Sequence, residues 1–198
     1  QALNEIGIAF MFAPSFHKAM RFAGPVRKQM GVRTLFNLLG PLTNPAGAPC
    51  QLLGVFAPEL TETFAEVLKK LGSRRVLVVH GHDGMDEITL TTTSRCSELK
   101  DGRIKTYDID PAVFFENYCT NEDLEGGTPA DNAAITRGIL EGKIQGPKRN
   151  IVLLNSAASL LSANRCGDLA DGIRQSAAAI DSGAALDKLE KLVAFSKT

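Results

Sequence analysis

Two adjacent carboxylates, Asp86 and Glu87, are the residues of this sequence whose types and spacing most clearly suggest chemistry. They end the turn-rich segment His80–Glu87, which directly follows the β-branched run Arg75–Val79. Ligands of open α/β sheets collect at the carboxyl ends of strands, so a strand at this run would place both acids at a binding edge. Paired carboxylate oxygens suit Mg²⁺, which keeps several waters and bridges the acids to a phosphorylated substrate. The alternative is a pair of acids that is simply solvated in a turn.

The same segment contains two histidines, His80 and His82, on either side of Gly81. An imidazole pair at this spacing could bind a transition metal. No cysteine lies nearby and the chain has only 3 histidines, so two turn histidines without a shared metal are favoured.

A basic stretch lies near the start of the chain. No Asp or Glu occurs between Ile6 and Pro58, although Lys plus Arg and Asp plus Glu each total 22 in the whole sequence. Within it, Arg27 could hold a carboxylate or a phosphate, because a guanidinium donates two parallel hydrogen bonds. His17 could contact the same ligand or cap a helix. The alternative is a solvated basic face that is balanced by acids elsewhere in the fold.

The segment Asn37–Pro49 is dense in Gly, Pro and Asn, which predicts a rigid loop. Gly40 and Pro41 lie within it, close to an apolar run. Such a loop could form the wall of a pocket for a flat aromatic ring. It could equally be a structural crossover between a helix and a strand.

Strands and helices are predicted to alternate around these segments. With 198 residues, 44% of them hydrophobic, the chain is expected to form one α/β domain over residues 1–198. The predicted strands are Gln51–Phe56, Arg75–Val79, Glu87–Thr93 and Arg103–Tyr107, helices are predicted from Thr61, Thr128, Leu169 and Leu186, and Asn150–Leu161 is a short strand or buried helix start that runs into a helix. This order predicts the α/β class, with a central, mostly parallel sheet flanked by helices.

The spacing of the cysteines and the length of the apolar runs indicate in which cellular compartment the protein is expected. The four cysteines share no Cys-x-x-Cys spacing, which argues against a zinc knuckle or a redox pair and indicates reduced thiols in a cytoplasmic protein. No run approaches the roughly 18 apolar residues of a membrane span. The opening Ala2–Pro14 is typical of the inside of a domain, so we expect the natural beginning of the protein to lie upstream.

Taken in order, these segments resemble the anthranilate phosphoribosyltransferase family. The resemblance rests on His17–Met20, Val26-Arg27, Arg33–Pro45 and Gly81–Glu87, and it continues to Asn155–Ala158. The long central motif is very specific. The resemblance implies the α/β domain of a nucleoside phosphorylase and phosphoribosyltransferase-like fold. It also implies a cytoplasmic, homodimeric, Mg²⁺-dependent enzyme of tryptophan biosynthesis, which transfers the phosphoribosyl group of 5-phosphoribosyl 1-diphosphate to anthranilate.

The resemblance further implies residue roles. Asp86 and Glu87 would hold Mg²⁺ on the diphosphate, and Arg27 would receive the carboxylate of anthranilate. The residues expected to line the anthranilate channel are His17, Gly40 and Pro41. No side chain is expected to act as a covalent or acid-base catalyst, since metal charge and positioning of the amine supply most of the catalysis.

One departure from the family pattern is serious. The family's glycine-rich diphosphate loop and its Lys-His-Gly-Asn segment occur nowhere in this sequence. The resemblance therefore predicts the larger C-terminal part of such an enzyme, without the N-terminal helical subdomain that forms the dimer. Because backbone donors of such a loop cradle phosphates, this part alone is expected to be weakly active or inactive.

Two other functions stay open at this point. A pyrimidine nucleoside phosphorylase would share the fold type, but it should not need adjacent acidic metal ligands. A non-enzymatic relative could bind nucleic acid through the basic stretch, with an affinity that falls steeply as salt rises. The carboxylate pair makes this second role less attractive, because it repels phosphates unless a cation intervenes.

Overall fold

The computed structural model of the chain describes residues 1–11, 16, 29, 39–40 and 42–197. The chain divides into two compact units, Gln1–Ala48 with Lys188–Thr198, and Pro49–Asp187. The expectation of a single domain over residues 1–198 stays a prediction. Among the helices that the structure describes, none is long and apolar enough to cross a lipid bilayer.

The first unit contains the short helix α1 (Ala2–Glu5). Ile6, which follows it, is buried, and its carbonyl oxygen accepts a hydrogen bond from the Lys188 ammonium group. The other elements that the structure describes in full, which begin after Ala48, are strand β1 (Cys50–Gly54), helix α2 (Leu60–Lys70), strands β2 (Arg75–Gly81), β3 (Ser94–Lys100) and β4 (Arg103–Ile109), a 3-10 turn at Pro111–Val113, and helices α3 (Asn121–Leu124), α4 (Pro129–Leu140), α5 (Pro147–Ser162), α6 (Leu169–Asp181) and α7 (Ala184–Phe195).

The four strands form one sheet in the order β1-β2-β3-β4. β1 and β2 are parallel, because the crossover through α2 returns the chain to the end of the sheet where β1 began. The pairs β2–β3 and β3–β4 are antiparallel. The α/β class with a sheet flanked by helices is confirmed. The prediction of a mostly parallel sheet is wrong for the described strands, because only β1 and β2 are parallel and the sheet is mixed.

A tight hairpin accounts for part of this difference. Lys100 pairs with Arg103, so only Asp101 and Gly102 connect β3 to β4. Asp101 has φ of 50° and Gly102 has φ of 72°, and positive φ at both central residues is the signature of a type I′ hairpin turn. Two residues cannot make a crossover, so the two strands must run in opposite directions.

The predicted strand Glu87–Thr93 is wrong, because that segment is irregular and β3 begins only at Ser94. Side-chain oxygens take the place of strand partners there. The Thr89 N–H donates to the Ser94 hydroxyl at 2.9 Å, and the Thr91 N–H donates to the Thr89 hydroxyl at 3.1 Å. Local bonds of this kind compete with the hydrogen bonds of a sheet.

Helices cover both faces of the central strand β2, all seven residues of which are buried. On one face, Leu77 and Val79 pack in a cluster with Leu154 and Ala158 of α5. On the other face lies α2, whose Thr61 hydroxyl accepts a hydrogen bond from the Ser97 hydroxyl at 3.0 Å. The segment Asn150–Leu161, which was ambiguous in sequence, lies entirely within α5. β2 is therefore a rigid support for the segment that follows it.

Candidate functional site

The carboxylate pair follows a tight turn at the end of β2. Gly81, the last residue of the strand, donates its N–H to the Met85 carbonyl oxygen at 2.8 Å and accepts the Gly84 N–H at 2.8 Å. Gly84 has φ of 97°, a left-handed conformation that residues with a Cβ rarely adopt. The turn reverses the chain within a few residues and brings Asp86 and Glu87 back beside the sheet.

Asp83 stabilises this turn from within. Its Oδ2 accepts hydrogen bonds from the hydroxyls of Thr89 at 2.6 Å and Thr91 at 2.5 Å, and its Oδ1 accepts the Met85 N–H at 3.0 Å. Partial burial opposes the charged form, but these hydrogen bonds outweigh it and hold the pKa of Asp83 below its ordinary value of 3.8. The charged carboxylate thus ties the turn to the irregular segment that precedes β3.

Replacement of this carboxylate should have a pH-dependent effect on stability. A carboxylate whose pKa is lowered by folding stabilises the native state above its unfolded pKa, and this contribution is lost as the pH falls through the lower folded pKa. We expect Asp83→Asn to reduce the free energy of unfolding by about 1 kcal/mol at neutral pH. The difference from the parent chain should shrink in acid, as the pH falls below the ordinary Asp pKa of 3.8.

Urea denaturation at neutral and acidic pH measures both effects. Asp101→Asn is a suitable control, since Asp101 is exposed in the hairpin turn and Asn tolerates its positive φ. An Asp83→Asn difference that persists unchanged in acid would contradict this account.

The two histidines of the segment have separate partners. His80 is buried, and its Nδ1 lies 2.8 Å from the carbonyl oxygen of Val55. The exposed His82 places Nε2 at 3.3 Å from Asp108 Oδ1. Within the part of the chain that the structure describes, no group of three or more His, Cys, Asp or Glu side chains could hold a metal ion. The separate partners favour two structural histidines, His80 within β2 and His82 in the turn, over a shared transition-metal site.

Asp86 and Glu87 both line an open cleft of about 460 Å³. The cleft also includes residues of β1, β2 and α5, namely Leu52, Gly54, Val79, Ile151, Val152, Asn155, Ser156 and Ser159. Gly54 lies directly against the backbone of the pair, because a Cβ added there would stand 1.6 Å from the Asp86 carbonyl oxygen. The first acid is therefore packed against the end of β1.

The second acid is followed by Ile88, whose side chain is fully buried in the core under α5. Both backbone polar groups of Ile88 bond to one side chain of that helix. The Ile88 N–H donates to Asn155 Oδ1 at 3.0 Å, and Asn155 Nδ2 donates to the Ile88 carbonyl oxygen at 2.9 Å. The pair thus lies between a contact with β1 and an anchor on α5.

The charges of the two acids interact. Burial raises the pKa of Glu87, and the adjacent Asp86 carboxylate raises it further. A divalent cation would offset this repulsion. Two carboxylates in an open cleft, with no third acid or histidine grouped with them among the described residues, leave most coordination positions to water and phosphate oxygens. That donor set fits Mg²⁺.

Four further residues were predicted to belong to the site. His17, Arg27 and Pro41 lie outside the described residues. Gly40 belongs to the first compact unit, where it is helical and exposed and accepts a hydrogen bond from the Thr43 hydroxyl at 3.1 Å. The roles of these four residues remain predictions.

Sequence reasoning missed Gly54, and it used Asn155 only as part of a resemblance. A glycine in a strand signals that another backbone approaches closely, so Gly54 carried a usable signal. The two hydrogen bonds between Asn155 and Ile88 span 67 positions along the chain and leave no local trace in the sequence.

Most of the chain matches one known protein family. The profile described as "Glycosyl transferase family, a/b domain" matches residues 1–186. Among curated proteins, the anthranilate phosphoribosyltransferase of Desulfosudis oleivorans is 57% identical over 198 residues, which are 100% of this chain and 58% of that protein. The chain therefore spans little more than half the length of this relative.

Solved structures agree in fold. The anthranilate phosphoribosyltransferase of Thermus thermophilus superimposes with a TM-score of 0.90 at 41% identity, covering 100% of this chain and 58% of its own. The enzyme of Saccharomyces cerevisiae, solved in complex with PRPP and Mg, gives a TM-score of 0.80 at 27% identity, with 89% and 51% of the two chains covered. The yeast enzyme has also been solved with 4-fluoroanthranilate. On the match of residues 1–186, this chain belongs to the glycosyl transferase family, as its α/β domain.

Proposed function

We propose that the protein containing this chain transfers the phosphoribosyl group of 5-phosphoribosyl 1-diphosphate to anthranilate, giving N-(5-phosphoribosyl)anthranilate and diphosphate in tryptophan biosynthesis. The observation that carries the proposal is the Asp86-Glu87 pair, which lines an open cleft after β2. The relatives support the substrates, since the similar yeast enzyme binds PRPP with Mg and an anthranilate analogue.

The reaction needs charge stabilisation and alignment more than covalent help. The bond between ribose C1 and a diphosphate oxygen breaks, and a bond between C1 and the amine nitrogen forms, with the amine proton passing to solvent. When bound, Mg²⁺ supplies positive charge to the departing diphosphate. Asp86 and Glu87 would hold that ion beside the end of β2. Their own like charge disfavours an empty site and favours a divalent occupant.

The anthranilate side of the reaction is assigned to the basic stretch. Arg27 would receive the carboxylate through two parallel hydrogen bonds, which would orient the amine toward C1. His17, Gly40 and Pro41 would line the channel that leads there. These assignments rest on the family resemblance of the segments that contain them.

Location and assembly are also proposals. All four cysteines are free, which suits the reducing conditions of the cytoplasm. The intact protein is proposed to be a homodimer formed through the helical region that the family carries outside the span of this chain.

Product formation provides the direct test. The chain is assayed by chromatography with both substrates, alone and joined to the portion of the Desulfosudis oleivorans relative that it does not cover. We expect Mg²⁺-dependent phosphoribosylanthranilate from the joined protein and at most about 1% of that rate from the chain alone, because a phosphate-binding loop in the joined portion would supply backbone donors to the diphosphate. Full activity of the chain alone would contradict the second expectation.

The same experiment separates the rival functions. A joined protein that forms no phosphoribosylanthranilate but cleaves pyrimidine nucleosides with phosphate, without Mg²⁺, would support the phosphorylase alternative. Binding of nucleic acid that weakens steeply with salt, without turnover of either substrate, would support the binding alternative.

A further inference from the structure

Ile88 directly follows the acid pair along the chain. Among the described residues, Asn155 is the one whose side chain bonds to both the N–H and the carbonyl oxygen of Ile88. It lies on α5 and lines the same cleft as Asp86 and Glu87. Its Nδ2 also donates to the Ile151 carbonyl oxygen at 3.0 Å, one turn earlier on the helix. This third bond fixes the amide orientation, so that Oδ1 faces the Ile88 N–H.

The anchored residue is itself immobilised. Ile88 is 0% exposed and packs with Leu77, Val79 and Leu154. A side-chain amide that both donates to and accepts from one residue acts like a strand partner for a segment that has none. The two peptide groups on either side of Ile88 are therefore each held to α5 by one hydrogen bond from Asn155, as well as by the burial of Ile88.

We infer that Asn155 is a positioning residue, which sets the separation of the Asp86 and Glu87 carboxylates so that both can ligate one divalent cation. The inference rests on the proposed metal role of the pair and assigns to α5 a part in that role. Two ligands on adjacent residues bind one ion more tightly when the backbone that carries them is already fixed, because less conformational freedom is lost on binding. Groups outside the ligand set that orient metal ligands typically change metal affinity by 10- to 100-fold when removed.

The test is a titration of the 198-residue chain with Mn²⁺ alone, in which electron paramagnetic resonance measures the concentration of the free ion. Asn155→Ala should raise the dissociation constant about tenfold, because the ligands lose their fixed separation. Asn155→Asp keeps an acceptor for the Ile88 N–H but loses the donor to the Ile88 carbonyl oxygen. It should bind more weakly than the parent if the donor bond matters, in spite of its added negative charge.

Two matched variants separate positioning from general stability. Ser162→Ala removes another polar side chain of α5, one that is not among the residues lining the cleft, and its hydroxyl donates to the Ser159 carbonyl oxygen at 2.8 Å. Ile180→Ala destabilises a buried cluster formed by Ile139, Leu153 and Ile180. Both should keep the parent affinity within about twofold while the protein is folded, as circular dichroism would establish.

The outcomes are distinct. Parent-like Mn²⁺ affinity in Asn155→Ala, or in Asn155→Asp if the alanine variant does not fold, would overturn the positioning role and leave the proposed function intact. A tenfold loss in Ile180→Ala would also overturn it, since stability alone would then explain the effect. If the parent chain and the Asp86→Asn, Glu87→Gln double variant bind Mn²⁺ equally, the metal role of the pair fails and this inference fails with it.

Discussion

Joint replacement of Asp86 by Asn and Glu87 by Gln is expected to lower the turnover of phosphoribosyl transfer at least about 100-fold. The amides have nearly the shape of the acids, so the turn and the cleft should persist. What is lost is the negative charge that would hold a divalent ion against the departing diphosphate. The measurement is kcat and KM for 5-phosphoribosyl 1-diphosphate in the joined protein described above, over a range of Mg²⁺ concentrations.

A surface pair provides the control for lost charge. Glu62 and Glu66 are exposed on α2, and changing both to Gln removes the same formal charge away from the cleft. This control should leave turnover within about twofold, because exposed charges are screened. Unchanged Mg²⁺-dependent turnover in the Asp86, Glu87 variant would exclude the pair from the mechanism.

Local signals predicted much of the fold. The run Arg75–Val79 appears as β2, which extends to Gly81. Thr128 followed by Pro129 predicted a helix start, and α4 begins there with a reciprocal capping arrangement between Thr128 and Asp131. These elements were predictable because their determinants lie within a few residues of one another.

Sheet direction and the segment after the site were not predictable in the same way. Strand direction depends on whether a connection is long enough to cross over the sheet. The sequence pattern Asp101-Gly102 is typical of a two-residue hairpin, but the predicted parallel sheet did not take it into account. Thr89 and Thr91 have the composition of a strand, but their hydroxyls bond to Asp83 instead. Tertiary hydrogen bonds outweighed the β propensity of the segment.

In the candidate site, too, local features could be predicted from the sequence and tertiary contacts could not. Position after a strand was enough to single out Asp86 and Glu87, and both line a cleft. The two contacts that hold them, from Gly54 and Asn155, join residues more than thirty positions apart and became visible only in three dimensions. Arg27 lies outside the described residues, and its role stays a prediction.

Addition of one methyl group at Gly54 should disrupt both stability and the site. In Gly54→Ala the new Cβ would stand 1.6 Å from the Asp86 carbonyl oxygen and 2.6 Å from its carbon, which are backbone atoms that cannot rotate away. Either β1 or the acid pair must move. We expect the free energy of unfolding to fall by about 2–3 kcal/mol, and Mn²⁺ binding to weaken at least about tenfold.

Gly167→Ala is the matched control, because Gly167 is exposed, has no left-handed φ, and has no atom within 4 Å of an added Cβ. Its stability should change by less than about 0.5 kcal/mol. Urea denaturation compares the two variants, and the Mn²⁺ titration is repeated on each under folding conditions. Because the clash at Gly54 involves the backbone of a proposed ligand, a variant that loses stability but keeps full Mn²⁺ affinity would mean that β1 yields while the acids stay in place. The close packing of Gly54 would then serve the sheet alone, and the placement of the acids would depend on α5.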